Sequence, residues 1–285
     1  MNFVYLSPHF PPNYYLFAVQ LNNLGVNVLG LADEPYAHLR PELRSALTEY
    51  YKVSDLHQYG ELIRACGYFT HRYGKLDRLD SHSEYWLETE AMLRTDFNIP
   101  GLKIQDMPKI KRKSSMKQVF IKAGIDVARG KVVHSLAEAK RLIKVTGFPV
   151  VAKPDIGVGA AKTYKIHNPN ELEQFFEQKP PVDYIMEEFI AGTICTFDGL
   201  TNQDGEVVFF TSHQYSQGIM ETVIHDDLIY YYSLREIPAD LEAAGRKIVK
   251  AFAIKERFFH FEFFRTADSR LVALEVNIRP PGGMT

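Results

Sequence analysis

The sequence predicts a chain that is α/β at its start and α+β from there on, and three stretches carry that reading. "FVYLS" at 3–7 is a short apolar run that stops at Pro8. "YYLFAVQLNNLG" then reads as a helix ended by Gly25, and "VNVLGLAD" as a second strand. Strand, helix and strand in quick succession form a βαβ unit and predict a parallel sheet. The last third differs. "DYIMEEFIAG", "TICTFDGLTN", "EVVFFTSHQY", "LIYYYSL", "FFHFEFFRTA" and "RLVALEVNI" are strand candidates, with "TNQDGEV" and "TADSRL" as hairpin turns. One long helix, "ADLEAAGRKIVKAFAI", divides them, so a mostly antiparallel sheet with a covering helix is expected.

Between these ends the pattern continues element by element. "ELIRACGYFTHRYG" reads as a helix, and "SEYWLETEAMLRTDF" as another opened by Ser83, with Trp86, Leu87, Met92 and Leu93 on its apolar face. "NIPGLKIQDMPK" at 98–109 breaks the periodicity with two prolines and a glycine, and marks a domain boundary. The basic stretch "KIKRKSSMKQVFIKAG" is helical from Ser114, with Met116, Val119 and Phe120 inward and Gly124 as its stop. As a local pattern it is equally a solvated helix start. "IDVARGKVVHS" is strand-like, and "SLAEAKRLIKVTG" carries a capping box, Ser135 with Glu138. "FPVVAKPD" is a strand, "GVGAAKTYKI" a Gly-rich turn into another, and "NPNELEQFFEQ" a helix. A small α+β unit at 110–182 is the expectation.

Composition narrows the class. The chain has 285 residues, 46% hydrophobic, enough for one large domain or two modest ones. A net charge of −2 offers no general attraction to nucleic acid or an anionic membrane, so neither is an expected partner. Two cysteines, Cys66 and Cys195, build no disulfide framework; one bridge stays formally open, and a reducing compartment is the simpler reading. "MNFVYLSPHFPP" has no basic n-region, so no signal peptide is expected, and no apolar run is long enough to span a bilayer. A soluble cytoplasmic protein is the expectation.

Two constellations carry chemistry. In "LEVNIRPPGG" Glu275, Asn277 and Arg279 recur at every second position, which in a strand puts them on one face. The hairpin "FEFFRTADSRLVALEVN" is centred between Asp268 and Ser269, so Glu262 and Glu275 would oppose each other on adjacent strands. Like charges repel there unless a cation lies between them. Mg²⁺ takes oxygen ligands and keeps substrate phosphates in its shell. An exposed hairpin with polar alternation would give the same local pattern. The second constellation is "VVAKPDIGVGAAKT": Lys153 at a strand end, Gly157 and Gly159 allowing backbone amides close to an anion, and Lys162. It is neither a Walker motif nor a dinucleotide fingerprint. A glycine-containing hairpin with solvent-facing lysines would read the same way.

Taken in order, these segments resemble the ATP-grasp superfamily, over nearly the whole chain. "RKSSMKQVFIKAGI" is similar to the family's Asp-Lys-x-x-Met-Arg pattern, with Lys113 as its lysine and Arg112 in place of its aspartate. Lys153 after "FPVV" matches the second family lysine, and "GVGAA" the flap over the phosphates. "IMEEFI" matches the strand joining two lobes, where Glu187 would lie near the adenine amino group and Glu188, Phe189 and Ile190 would line the base. Glu262, Glu275 and Asn277 match the metal ligands, and Arg279 the arginine that meets the transferred phosphate or the carboxylate substrate. The resemblance implies a Rossmann-like preATP-grasp domain at 1–105, of the carboxylase and carboxylate-amine or thiol ligase branches. It implies a small ATP-grasp subdomain with the flap at 106–182 and a large metal-binding lobe at 183–285, cut short at Thr285.

The implied activity is an ATP-dependent ligase that activates a carboxylate as an acylphosphate for attack by an amine or other nucleophile. Its cofactors would be ATP and Mg²⁺, with Mn²⁺ as the alternative metal. Small-molecule carboxylate and amine are the implied substrates, and a homodimer is allowed. Within the fold, the alternatives are a biotin-carboxylase or carbamoyl-phosphate-type enzyme that activates bicarbonate, and an ATP-binding regulatory protein without catalysis. The family's ribose-binding glutamate position holds Ile194, with Asp198 as a candidate replacement. His213 and His225 lie on a segment that reads equally as substrate-facing or as an ordinary exposed loop. Arg235 is a candidate for a carboxylate substrate, and His260, alternating with Glu262, reads equally as a neighbour of the metal or a satisfied buried histidine. Cys195 reads as structural.

Overall fold

The computed structural model describes residues 1–157, 162–216 and 230–282. Within them the chain divides into two compact units, Met1–Met107 and Pro108–Pro281.

The first unit is a parallel sheet wound by helices. Its strands are β1 (Asn2–Leu6), β2 (Asn27–Ala32), β3 (Glu49–Lys52) and β4 (Arg78–Asp80). They lie in the order β3-β2-β1-β4, every pair parallel. The helices are α1 (Tyr15–Asn23), α2 (Pro41–Ala46), α3 (Tyr59–Tyr73) and α4 (Leu87–Asp96). Every residue of β1 is buried because helices cover both faces. Val4 and Leu6 pack with Leu62, Phe69 and Leu93 on one side, while Phe3 and Tyr5 pack with Ala18 and Leu43 on the other. Gly25, at φ 73°, turns the chain out of α1 into β2. The helix expected to open at Ser83 begins at Leu87 instead, with Trp86 as its N-cap. Ser83 is committed to a local turn: its hydroxyl accepts from Tyr85 N–H at 3.3 Å and its own N–H donates to Ser81 Oγ at 3.1 Å.

The second unit begins with α5 (Met107–Lys111) and α6 (Lys113–Lys122). A sheet in the order β5-β8-β6-β7 follows, built from β5 (Gly130–Val133), β6 (Val150–Pro154), β7 (Tyr164–Ile166) and β8 (Tyr184–Glu188). The sheet thus takes a strand from beyond the expected break at residue 182. Its helices are α7 (Leu136–Thr146) and α8 (Pro169–Gln178). Ser135 caps α7 as expected, accepting from Glu138 N–H, but the Glu138 carboxylate reaches back to His134 N–H rather than to Ser135. Val150, Ala152, Tyr184 and Met186 form a core with Ala139, Leu172 and Phe175. By the two-residue alternation of a strand, Val151, Lys153, Ile185 and Glu187 face the other way.

A larger antiparallel sheet completes this unit: β9 (Gly192–Thr201), β10 (Val207–Thr211), β11 (His213–Tyr215), β12 (Tyr231–Ser233), β13 (Phe258–Thr266) and β14 (Leu271–Asn277). Its order is β12-β11-β9-β13-β14, with β10 also on β9. The covering helix is α9 (Ala239–Phe252). The same alternation divides the sheet's faces. Phe197, Phe259 and Phe261 stack at 5.6 and 4.6 Å between centroids, and α9 approaches so closely at Gly245 that a Cβ there would lie 2.1 Å from the Phe197 ring. Thr196, Asp198, His260 and Glu262 occupy the opposite face in register. Among the described residues no helix is long and apolar enough to cross a membrane.

Candidate active site

Lys153 and Glu187 share the face of the small sheet turned away from α7 and α8, and they meet: Nζ to Oε2 is 2.7 Å. Lys117 of α6 bonds the other carboxylate oxygen of Glu187 and also donates to Ala128 O. Lys117 and Glu187 are buried, 7% and 6% exposed, and Lys153 is half-buried. Burial alone would raise the Glu187 pKa, but Lys153 and Lys117 overcome it and hold the carboxyl down at about 2. Burial would likewise lower the Lys153 pKa, and Glu187 reverses the sign, so the ammonium is held charged. Glu187 was expected beside an adenine amino group; its carboxylate is instead bound to these two lysines. The basic run read equally as a solvated helix start, and Lys117 was not singled out within it. Its signal was its position four residues after Lys113, which puts both on one helical face.

Lys113, at the start of α6, pairs with Glu275 of β14 at 3.2 Å and donates to Gly157 O at 2.9 Å. The expected opposition of Glu262 and Glu275 is present: they are partners in the β13–β14 register, and His260 opposes Asn277. Asn277 is buried, as is Glu262. β14 ends at Asn277, so Arg279 lies in the bend beyond it rather than in the strand; it donates to Pro280 O at 2.8 Å. Gly159 and most of the flap, and His225, lie outside the described residues. Arg235 is exposed in the turn after β12.

Behind Glu262 runs a buried polar chain. His260 Nε2 lies 3.1 Å from Glu262 Oε1 and its Nδ1 2.6 Å from Asp198 Oδ1; Asp198 Oδ2 lies 2.7 Å from His213 Nδ1. Thr196 Oγ1 donates to Asp198 and accepts from His213 N–H at 3.0 Å. Burial pulls the His260 pKa down, but Asp198 and Glu262 push it up to about 9. Burial raises the Glu262 pKa, and His260 and then Arg279 bring it below the usual carboxylate range. Asp198, weighed as a ribose ligand, is 1% exposed and committed to the two histidines.

The segment after β8 is also partly committed. Glu188 N–H donates to Arg129 O at 2.9 Å and Phe189 N–H to Pro149 O at 3.2 Å. The Glu188 carboxylate accepts from Arg129 N–H and Nε, both at 2.7 Å.

Whether a divalent cation fits can be judged from the donor set. Two opposed carboxylates and a buried amide oxygen are hard oxygen donors, the kind Mg²⁺ takes. Among the described residues no three His, Cys, Asp or Glu side chains converge as a metal cage. Mg²⁺ usually keeps substrate phosphates and waters in its shell and takes only one or two protein carboxylates.

Comparison with known proteins agrees with this architecture. Residues 146–285 match the ATP-grasp domain family. An L-arginine-specific L-amino acid ligase from Bacillus subtilis is 23% identical over 227 residues, covering 74% of this chain and 53% of its own length. The chain therefore spans about half the length of that relative. Among solved structures, L-amino acid ligase from Bacillus licheniformis superposes with a TM-score of 0.75 at 18% identity, over 98% of this chain and 66% of that one. N5-carboxyaminoimidazole synthetase from Staphylococcus aureus, complexed with ADP, gives 0.76 at 16% identity, over 98% and 70%. At such identities the likeness is one of fold. Residues 146–285 thus carry an ATP-grasp domain.

Proposed function

We propose that this protein is an ATP-dependent ligase that activates a small-molecule carboxylate as an acylphosphate and passes the acyl group to an amine. The observation that carries the reading is the ion pair of Lys113 with Glu275, whose register partner is Glu262, with both carboxylates also helping to hold the Lys153 charge. In this reading residues 1–105 form the preATP-grasp domain, 106–182 the lobe with the flap, and 183–285 the metal-binding lobe. Lys113 and Lys153 neutralise the α and β phosphates. Gly157 and Gly159 belong to the loop over them, and Glu188, Phe189 and Ile190 line the base. Glu187 acts through Lys153, holding its charge and direction. Glu262, Glu275 and Asn277 would hold Mg²⁺, which when bound would supply positive charge to offset the phosphates.

The chemistry is phosphoryl transfer followed by acyl transfer. A carboxylate oxygen attacks the γ-phosphorus, the bond to the β–γ bridging oxygen breaks, and ADP leaves. Arg279 faces the charge gathering on the transferred group. The amine nitrogen then attacks the acyl carbon, the carbon–oxygen bond to phosphate breaks, phosphate leaves, and the nitrogen loses its proton. No side-chain nucleophile is required; alignment and charge neutralisation do the work. A buried Cys195, its thiol pushed up to about 11 by burial, is no candidate for one.

The amine reading is preferred to bicarbonate activation because a relative matched over 74% of this chain is an L-amino acid ligase. The test is a screen of amino acids, singly and in pairs, for ADP and phosphate release with MgATP. Release that requires an acid and an amine together supports the reading. Release with bicarbonate alone would overturn it.

A further inference from the structure

We propose that Asp155 is a positioning residue that fixes the spacing of Lys113 and Lys153; the proposal rests on the nucleotide reading above. Asp155 is fully buried and lies two residues after Lys153. Its Oδ1 accepts from Ser114 N–H at 2.7 Å, and its Oδ2 from Ser114 Oγ at 2.9 Å and from Arg112 at 2.8 Å. Its backbone joins the same seam: Lys113 N–H donates to Asp155 O at 2.8 Å.

Geometrically this is a helix cap supplied from another element. α6 begins at Lys113 with Arg112 at the N-cap position, and Arg112 provides no side-chain cap. The first N–H groups of a helix lack partners inside it, and an aspartate at the N-cap is a favoured way to satisfy them. Here the N-cap residue is a cation, and the capping carboxylate arrives from the end of β6. The usual cap would steady α6 alone. This one ties the first turn of α6, which carries Lys113, to the strand that carries Lys153. A phosphate chain gripped by both lysines needs their separation held, and a shift of about 1 Å in such a clamp is enough to lose most of its effect. A carboxylate that served packing alone would not have to bond the residues on both sides of Lys113.

The test compares ligands with and without phosphates. ADP with Mg²⁺ and adenosine are titrated against the full chain and against Asp155→Asn, with a thermal melt to establish that each is folded. The proposal predicts that ADP affinity falls about tenfold while adenosine affinity stays within about twofold. It also predicts that a cap confined to α6 does not suffice: Arg112→Asp on the Asp155→Asn background restores a cap within α6 but not the tie to β6, so ADP affinity stays low, and its recovery overturns the proposal. Should Asp155→Asn not fold, Ser114→Ala removes one contact and is expected to weaken ADP about threefold by the same comparison. Unchanged ADP affinity in a folded variant overturns the proposal, as does an equal fall for ADP and adenosine. If the parent chain binds neither ligand, the nucleotide reading itself fails, and that outcome is visible before any variant is made.

Discussion

Lys113 and Glu275 form an ion pair 3.2 Å long between the first turn of α6 and the strand β14. The lysine proposed for phosphate and the carboxylate proposed for metal are thus each other's counterions before either ligand arrives. Nucleotide and metal should then bind cooperatively, because each removes the other's competitor. Glu275→Gln frees Lys113 and removes a negative charge near the phosphates. Metal-free ADP is expected to bind this variant several-fold more tightly than the parent, while MgATP turnover falls steeply and the thermal midpoint changes little. Calorimetry with and without EDTA, beside a turnover assay, reads all three.

Arg279→Lys separates a working guanidinium from a surface one. Lysine keeps the charge and loses the planar fork that makes paired hydrogen bonds. A large loss in kcat/KM for the acid is expected, with ATP affinity reduced less. A surface arginine in an ordinary salt bridge contributes only about 0–1 kcal/mol, and lysine would replace it freely.

The Glu187 pKa, held at about 2 from an ordinary 4.5, has a sign that can be worked out. A depressed carboxyl stabilises the fold above its unfolded pKa, and that contribution is lost as pH falls from about 4.5 toward 2. Glu187→Gln leaves a buried and a half-buried lysine, Lys117 and Lys153, without their counterion and should lower the thermal midpoint at neutral pH. The gap between parent and variant should narrow as pH drops through that window. A gap that is constant with pH would show that Glu187 contributes shape rather than charge.

Gly245 lies where α9 crosses Phe197, and an added Cβ would meet the ring at 2.1 Å. Gly245→Ala is expected to destabilise the chain by about 1–3 kcal/mol, because a packed helix and sheet must separate to admit it. Chemical denaturation measures it, and a neutral result would mean that α9 shifts at no cost.

Much of this was legible because periodicity and hairpin symmetry are local. The β13–β14 turn made Glu262 and Glu275 register partners in the sequence as they are in the fold. The Phe-rich face of β13 and its polar reverse follow from a two-residue alternation. What was not legible depends on partners distant in sequence. Lys117 looked like part of a solvated basic run, and only the arrival of Glu187 makes its burial tolerable. Arg112 looked like a departure from the family's aspartate, and only the fold brings Asp155 to cap the helix it opens. Asp198 looked available for a ligand, yet its register with His260 encloses it. The short strands β3 and β4 escaped notice because Glu49–Lys52 and Arg78–Asp80 are too brief and too polar to show alternation.

The central claim is that Lys113, Lys153 and the Glu262–Glu275–Asn277 set form one MgATP site. Calorimetry of the folded chain with a non-hydrolysable ATP analogue, with and without Mg²⁺, tests it most directly. The account predicts binding that strengthens with Mg²⁺ and is lost in Lys153→Met. No binding in either condition, or binding that ignores both Mg²⁺ and Lys153, would contradict it.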